Sequence, residues 1–218
     1  MVLTQAGVGA GCEQAAAAPV VCERFDDLGA DGRPVRLGIM GGTFDPIHIG
    51  HLACAEQARE AFSLDAVVFI PAGKPAFKLK RDVTPAEQRF EMCRLAVQGN
   101  PAFDVSRIEI DRPGVTYTAD TLRQLREHYP GNVALFFITG ADAVCSILKW
   151  RESAAIASMA ELIAATRPGY ALSEETRLTI ERSGQLPHPY AGGNGAGRVV
   201  KLPARRVQRP VHTLFDGA

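Results

Sequence analysis

The sequence predicts an α/β domain, an open and mostly parallel sheet with helices on both faces. Three observations carry this. Residues 66–70 and 133–138 are continuous apolar runs, the signature of strands covered on both sides. Segments of helical period lie between the predicted strands, so the two element types alternate along the chain. The glycine, histidine and Ser/Thr clusters fall just after predicted strands, where such sheets bind ligands near the topological switch point.

Taken in order, residues 1–34 are rich in Ala and Gly and show no sustained period, which predicts a flexible N-terminal extension. Residues 35–40 are a short apolar strand with Arg36 inside it. Leu52, Ala55, Ala58, Ala61 and Phe62 then form a small-residue apolar face of helical period, ending near Ser63. After the strand at 66–70 comes a loop, 71–82, carrying Lys74, Lys78, Lys80 and Arg81. Thr84-Pro85-Ala86-Glu87 predicts a helix start, with Thr84 as cap, Pro85 in the first turn and Glu87 completing a capping box. Phe90, Cys93 and Val97 would share its buried face, and Gly99-Asn100-Pro101 would stop it.

Residues 103–110 alternate and predict a strand with one exposed side; residues 118–129 predict a helix with Leu122, Leu125 and Tyr129 inward. Beyond the strand at 133–138, short helices are expected around 142–148 and 151–157, a strand over 161–166 and a helix over 172–182. The pattern decays after Pro187. The expected organisation is therefore an extension (1–34), one catalytic-sized domain (35–186) and an irregular C-terminal segment (187–218).

Composition excludes several classes. Lys plus Arg balances Asp plus Glu at 24 each, so overall charge gives no reason to expect nucleic acid or an anionic membrane as partner. Five scattered cysteines suit a reducing compartment and neither a disulfide framework nor a cysteine-based zinc site. No apolar run approaches the roughly 18 residues of a membrane span, and the first residues do not read as a secretory signal. The expected location is the cytoplasm.

The chemistry concentrates in residues 38–51. An apolar strand runs into Gly41-Gly42, and His48 and His51 follow, three apart, where a helix begins. Free N–H groups of a first helical turn suit a phosphate. A zinc site would need a third ligand, which no His/Cys/Asp cluster supplies, so no metal site is assigned. Both rings as hydrogen-bond donors to phosphoryl oxygens is the favoured reading, with purely structural satisfaction of the rings as the alternative. Gly50 between them would permit close approach of the phosphates. Neither a G-x-x-x-x-G-K-[ST] loop nor G-x-G-x-x-G is present, and no nucleophile stands beside a base. What remains is chemistry by positioning and charge stabilisation, such as phosphoryl or nucleotidyl transfer.

The run from Gly41 to His51 resembles the HxGH nucleotidyltransferases, and among them the nicotinate-nucleotide adenylyltransferase family. Pro71-Ala72-Gly73-Lys74-Pro75-Ala76-Phe77-Lys78, Thr116-Tyr117-Thr118-Ala119-Asp120-Thr121-Leu122 and Thr139-Gly140-Ala141-Asp142-Ala143 resemble three further family segments in the right order. Trp150 and Arg167-Pro168-Gly169-Tyr170 follow as in that family. The resemblance implies a Rossmann-like sheet and adenylyl transfer from ATP to nicotinate mononucleotide, with Mg²⁺ carried by the ATP phosphates. Gly41, Gly42, Thr43, Phe44, His48, Gly50, His51, Gly140 and Asp142 would hold ATP, with His48, His51 and Lys78 as the catalytic groups. Lys78, Tyr117, Thr118, Trp150 and Arg167 would hold the mononucleotide, the Trp150 ring stacking on the pyridine. Asp45 would fix its loop by hydrogen bonds rather than act as a base. The implied partners are these small molecules, with no nucleic acid or membrane, and a homo-oligomer is compatible with the family.

One family segment departs. Its closing Ser-Ser-Thr-x-x-Arg motif is absent; residues 199–204 resemble the strand before it, but Arg205-Arg206-Val207-Gln208-Arg209-Pro210 follow. Three readings therefore stand side by side at this stage: the adenylyltransferase above, another transferase of the same fold acting on nicotinamide mononucleotide or pantetheine phosphate, and a nucleotide-binding homologue without turnover.

Overall fold

A computed structural model describes residues 21–76, 82–140 and 150–165 and the backbone of 200–201. Six strands, β1 (Val35–Gly42), β2 (Ala66–Pro71), β3 (Phe103–Val105), β4 (Val133–Gly140), β5 (Glu161–Ala165) and β6 (Val200–Lys201), form one sheet in the order β3-β2-β1-β4-β5-β6. All neighbouring pairs are parallel. β1 is central, with Leu37 opposite Ala66 on one side and Leu135 on the other. The strand order reverses there, so a crevice opens between the carboxyl ends of β1 and β4.

The period of two along each strand sends alternate residues to opposite faces. Leu37, Ile39, Val68, Ile70, Leu135 and Phe137 face one core, shared with residues of α3 (Thr118–His128) and α4 (Ser153–Met159). Val67, Phe69, Phe136 and Ile138 face the other, against α1 (Ile49–Phe62) and α2 (Ala86–Val97). Leu122, Leu125 and Tyr129 are buried, as the helical period of α3 predicts; each such aliphatic side chain contributes roughly 1.5–3 kcal/mol on burial. The apolar run at 66–70 is buried on both faces, and the opening strand runs two residues beyond the apolar stretch to include both glycines.

Four expectations change. Residues 1–34 do not form an appendage throughout: Val21 and Cys22 belong to the core, Tyr129 Oη donates to Phe25 O (2.9 Å), and Arg24 Nη1 reaches Asn100 O and Phe103 O. Apolar side chains here were hidden among Ala, Gly and Asp in the sequence; residues 1–20 lie outside the described residues. At α2 no capping box forms. Pro85 occupies the N-cap, and Glu87 turns outward to Arg107, both guanidinium bonds being 2.8 Å. Its fully buried residues are Arg89, Cys93 and Val97; Phe90 is partly buried and packs against the same core, with the Arg107 guanidinium 4.9 Å over its ring.

The strand at 103–110 stops at Val105. Ser106 still bonds Phe69 O, but its Oγ accepts from Ile108 N–H and the chain turns, with Ile110 and Asp111 both donating to Arg107 O. Finally, Ala61 of α1 is exposed, so only Ala55 and Ala58 of that face are fully covered. The strand over 161–166 and the second short helix appear as β5 and α4; the helices at 142–148 and 172–182 and most of the C-terminal segment lie outside the described residues, apart from β6.

Candidate active site

The crevice at the β1/β4 switch point is a cavity of about 430 Å³. Its walls join segments far apart in sequence: Gly41, Gly42 and Thr43 after β1, Ala72 after β2, Tyr117 and Thr118 at the start of α3, Thr139 at the end of β4, and Trp150 before α4.

On the β1 side, His48 is the N-cap of α1, and the two histidines cap the helix reciprocally. Gly50 N–H donates to His48 Nδ1 (3.2 Å), and His48 N–H donates to His51 Nδ1 (3.2 Å). This satisfies two of the orphan donors at the helix start. With Nδ1 accepting in both rings, Nε2 is the ring nitrogen left to donate. The ring centroids lie 3.8 Å apart at the positive end of the helix dipole, and neither histidine is among the residues that line the cavity. Gly50 has a further reason to be glycine: a Cβ there would stand 3.0 Å from the His48 ring. Phe44, in the left-handed region at φ 49°, is buried beneath the turn and packs edge-on to His51 and against Phe69. Its place is behind the turn after β1, supporting His51, and not along the cavity wall. Gly140 ends β4 and is exposed.

Asp45 fixes its loop as expected: its carboxylate accepts from Thr84 N–H at 3.0 Å, tying the turn after β1 to the entry of α2.

On the far side, Tyr117 and Thr118 are the N-cap and first residue of α3, so a second helix start with favourable polarity for an anion borders the cavity. Trp150 sits edge-on to Phe137 (6.2 Å between centroids), and the Arg151 guanidinium lies 4.8 Å over the Tyr117 ring. The two rings and the helix start make an aromatic slot with a polar end. Lys78, Asp142 and Arg167 lie outside the described residues.

Three features in or behind the cavity wall were given no role of their own by the sequence reading. Glu109 is buried, and burial pushes its carboxyl above the ordinary range, offset by the Thr121 Oγ donor at 2.6 Å and the nearby Arg112 charge. Gly73 backs directly onto the Glu109 carbonyl, where a Cβ would collide with backbone; no side chain fits. Arg89 is 1% exposed and, among the described residues, bonds only carbonyls: Thr84 O (2.8 Å), Thr43 O (2.7 Å), Ala72 O (2.6 Å) and Gly73 O (3.1 Å). The signal for Arg89 is its spacing, four and eight residues before Cys93 and Val97 on the apolar side of α2. No group of three or more His, Cys, Asp and Glu placed to hold a metal ion occurs among the described residues.

The cytidylyltransferase-like family model matches residues 39–200. A protein of Corynebacterium kroppenstedtii described as a probable nicotinate-nucleotide adenylyltransferase is 56% identical over 143 residues, 66% of this chain and 67% of its own. One of Acidothermus cellulolyticus, described in the same words, is 47% identical over 162 residues, covering 72% and 78%. Among solved structures, a nicotinic acid mononucleotide adenylyltransferase of Plasmodium falciparum complexed with NaAD superposes with a TM-score of 0.59 at 17% identity, over 78% of this chain and 76% of that one. That likeness speaks to the fold.

Proposed function

The chain belongs to the cytidylyltransferase-like family, among the nicotinate-nucleotide adenylyltransferases, and we infer from this premise that it transfers the adenylyl group of ATP to nicotinate mononucleotide. The products are deamido-NAD and pyrophosphate. The observation that carries the reading is the two-sided crevice, walled by the glycine turn Gly41–Thr43 after β1 and, on the other side, by an aromatic slot ending in a helix start, with the paired imidazoles at the start of the helix that follows the glycine turn.

A phosphate oxygen of nicotinate mononucleotide attacks the α-phosphorus of ATP. The bond from that phosphorus to the bridging oxygen breaks, and its electron pair leaves with pyrophosphate. The attacking phosphate is already ionised near neutral pH, so no general base is required. His48 and His51 donate from Nε2 to phosphate oxygens as charge grows on the leaving group, and Gly41, Gly42 and Thr43 let the triphosphate approach the backbone. Phe44 and Gly50 hold the histidines in place, with Gly140 and Asp142 at the nucleoside end. The magnesium ion arrives as part of the ATP substrate, held by its phosphates. Trp150 stacks on the pyridine, the α3 start at Tyr117 and Thr118 receives the carboxylate, and Lys78 and Arg167 neutralise the mononucleotide phosphate.

The test is pyrophosphate release from ATP with nicotinate mononucleotide, nicotinamide mononucleotide or phosphopantetheine as acceptor. Fastest turnover with the nicotinate substrate is expected. Preference for either other acceptor would reassign the substrate, and ATP binding without turnover would make the chain a nucleotide-binding homologue.

A further inference from the structure

We propose that Arg89 is a positioning residue for this transfer, a buried guanidinium that sets the spacing between the phosphate turn after β1 and the floor of the mononucleotide pocket after β2. The proposal rests on the reaction inferred above. Its four carbonyl partners come from three separate segments: Thr43 from the β1 turn, Ala72 and Gly73 from the end of β2, and Thr84 from the entry to α2. Thr43 and Ala72 line the cavity themselves, and Gly73 rests on the backbone of Glu109, which lines it too. Asp45 adds a second tie between the first and third of these segments through Thr84 N–H.

Packing alone does not explain the choice of residue. An apolar side chain in this register of α2 would continue the face of Cys93 and Val97 without burying a charge. Only the planar fork of arginine can donate to four carbonyls arranged on different sides of it; lysine offers three hydrogens from one atom. No carboxylate bonds Arg89 among the described residues, and the carboxylates that act on it through space are Asp45, in the turn after β1, and Glu109, which lines the crevice. The cation is thus held by the loops that hold the substrates.

Two substrates bound to separate loops react only if the attacking oxygen lies in line with the α-phosphorus. A misplacement on the order of 1 Å can cost about 100-fold in rate. A residue that fixes the loop spacing should therefore act on kcat more than on the binding of either substrate alone.

The experiment measures wild type, Arg89→Lys and Arg89→Ala side by side, with folding followed by circular dichroism and thermal melting. In Arg89→Lys, kcat should fall about 100-fold while KM for ATP and for nicotinate mononucleotide each move less than about threefold. In Arg89→Ala, millimolar guanidinium should restore part of kcat without changing either KM, whereas potassium at the same ionic strength should not. A folded lysine variant with wild-type kcat and only a lowered Tm would overturn the proposal, as would a lysine variant that does not fold, which would make Arg89 a folding residue. Wild-type protein that does not turn over nicotinate mononucleotide would overturn the functional reading itself, a result distinct from equal activity of variant and wild type.

Discussion

The two ends of the sheet are tied together by different means. At the amino ends of the strands, residues 21–34 run beneath the core. Arg24 N–H and guanidinium bond Asp104 and the carbonyls of Asn100 and Phe103, Tyr129 bonds Phe25 O, and Asn132 Nδ2 donates to Gly29 O and Arg33 O. These contacts join α3 and the edge of β3, and none of their residues lines the crevice. At the carboxyl ends, the ties are the paired histidine caps, Asp45 to Thr84, and Arg89. There the ties stand behind the crevice wall, and Arg89 bonds the carbonyls of Thr43 and Ala72, which line it. The difference predicts that changes below cost stability and changes above cost rate.

The largest effect should come from His51→Ala. It removes one Nε2 donor and the acceptor for His48 N–H, and kcat should fall by about 10²–10³-fold with the fold retained; activity near wild type would break the assignment of the imidazoles to the phosphates. Trp150→Ala should raise KM for nicotinate mononucleotide about tenfold and leave KM for ATP unchanged, measured by initial rates at fixed co-substrate. An equal rise in both would place Trp150 in the core alone.

At the opposite end, Tyr129→Phe removes the donor to Phe25 O and the contact with Cys22 Sγ. Stability should drop by about 1 kcal/mol, seen as a Tm lowered by a few degrees, with kcat and both KM values unchanged. A fall in kcat would show that the two ends are coupled.

The smallest effect is in the thiols. Burial pushes Cys22 and Cys93 up to about 12 and Cys54 up to about 11. The folded state then binds more protons than the unfolded state once pH passes the ordinary thiol value near 9, so stability contributed by these neutral thiols is present below that pH and declines above it. Native protein at pH 8 should resist iodoacetamide at all three positions and react after denaturation; rapid labelling of the native state would contradict their burial.

Legibility divides along the same line as the two ends. The turn after β1 could be read because its parts are contiguous: an apolar run, two glycines and two histidines occupy 17 residues, and the physics that joins them acts within one strand end and one helical turn. The cap itself was not visible, since imidazoles read as ligands for phosphate also serve the helix start. Thr84 and Glu87 had the residue types of a capping box, yet Arg107, twenty residues on, draws Glu87 away and Asp45 takes Thr84 N–H. Arg89 stood in plain view, but an arginine on a helix is normally solvated, and nothing local says that four carbonyls from three segments will surround it.

By itself, then, the sequence determined the α/β alternation, the position of both cores' central strands and the glycine turn running into a helix start after β1, because hydrophobic period and helix-start chemistry are local. Only the tertiary structure decided that Val21 and Cys22 belong to the core, that Phe44 supports His51 from behind, that Gly73 packs on the backbone of Glu109 in the cavity wall, and that Arg89 is enclosed. Each of these depends on contacts between segments from about seven to about a hundred residues apart, which are made when the sheet order brings the strand ends together.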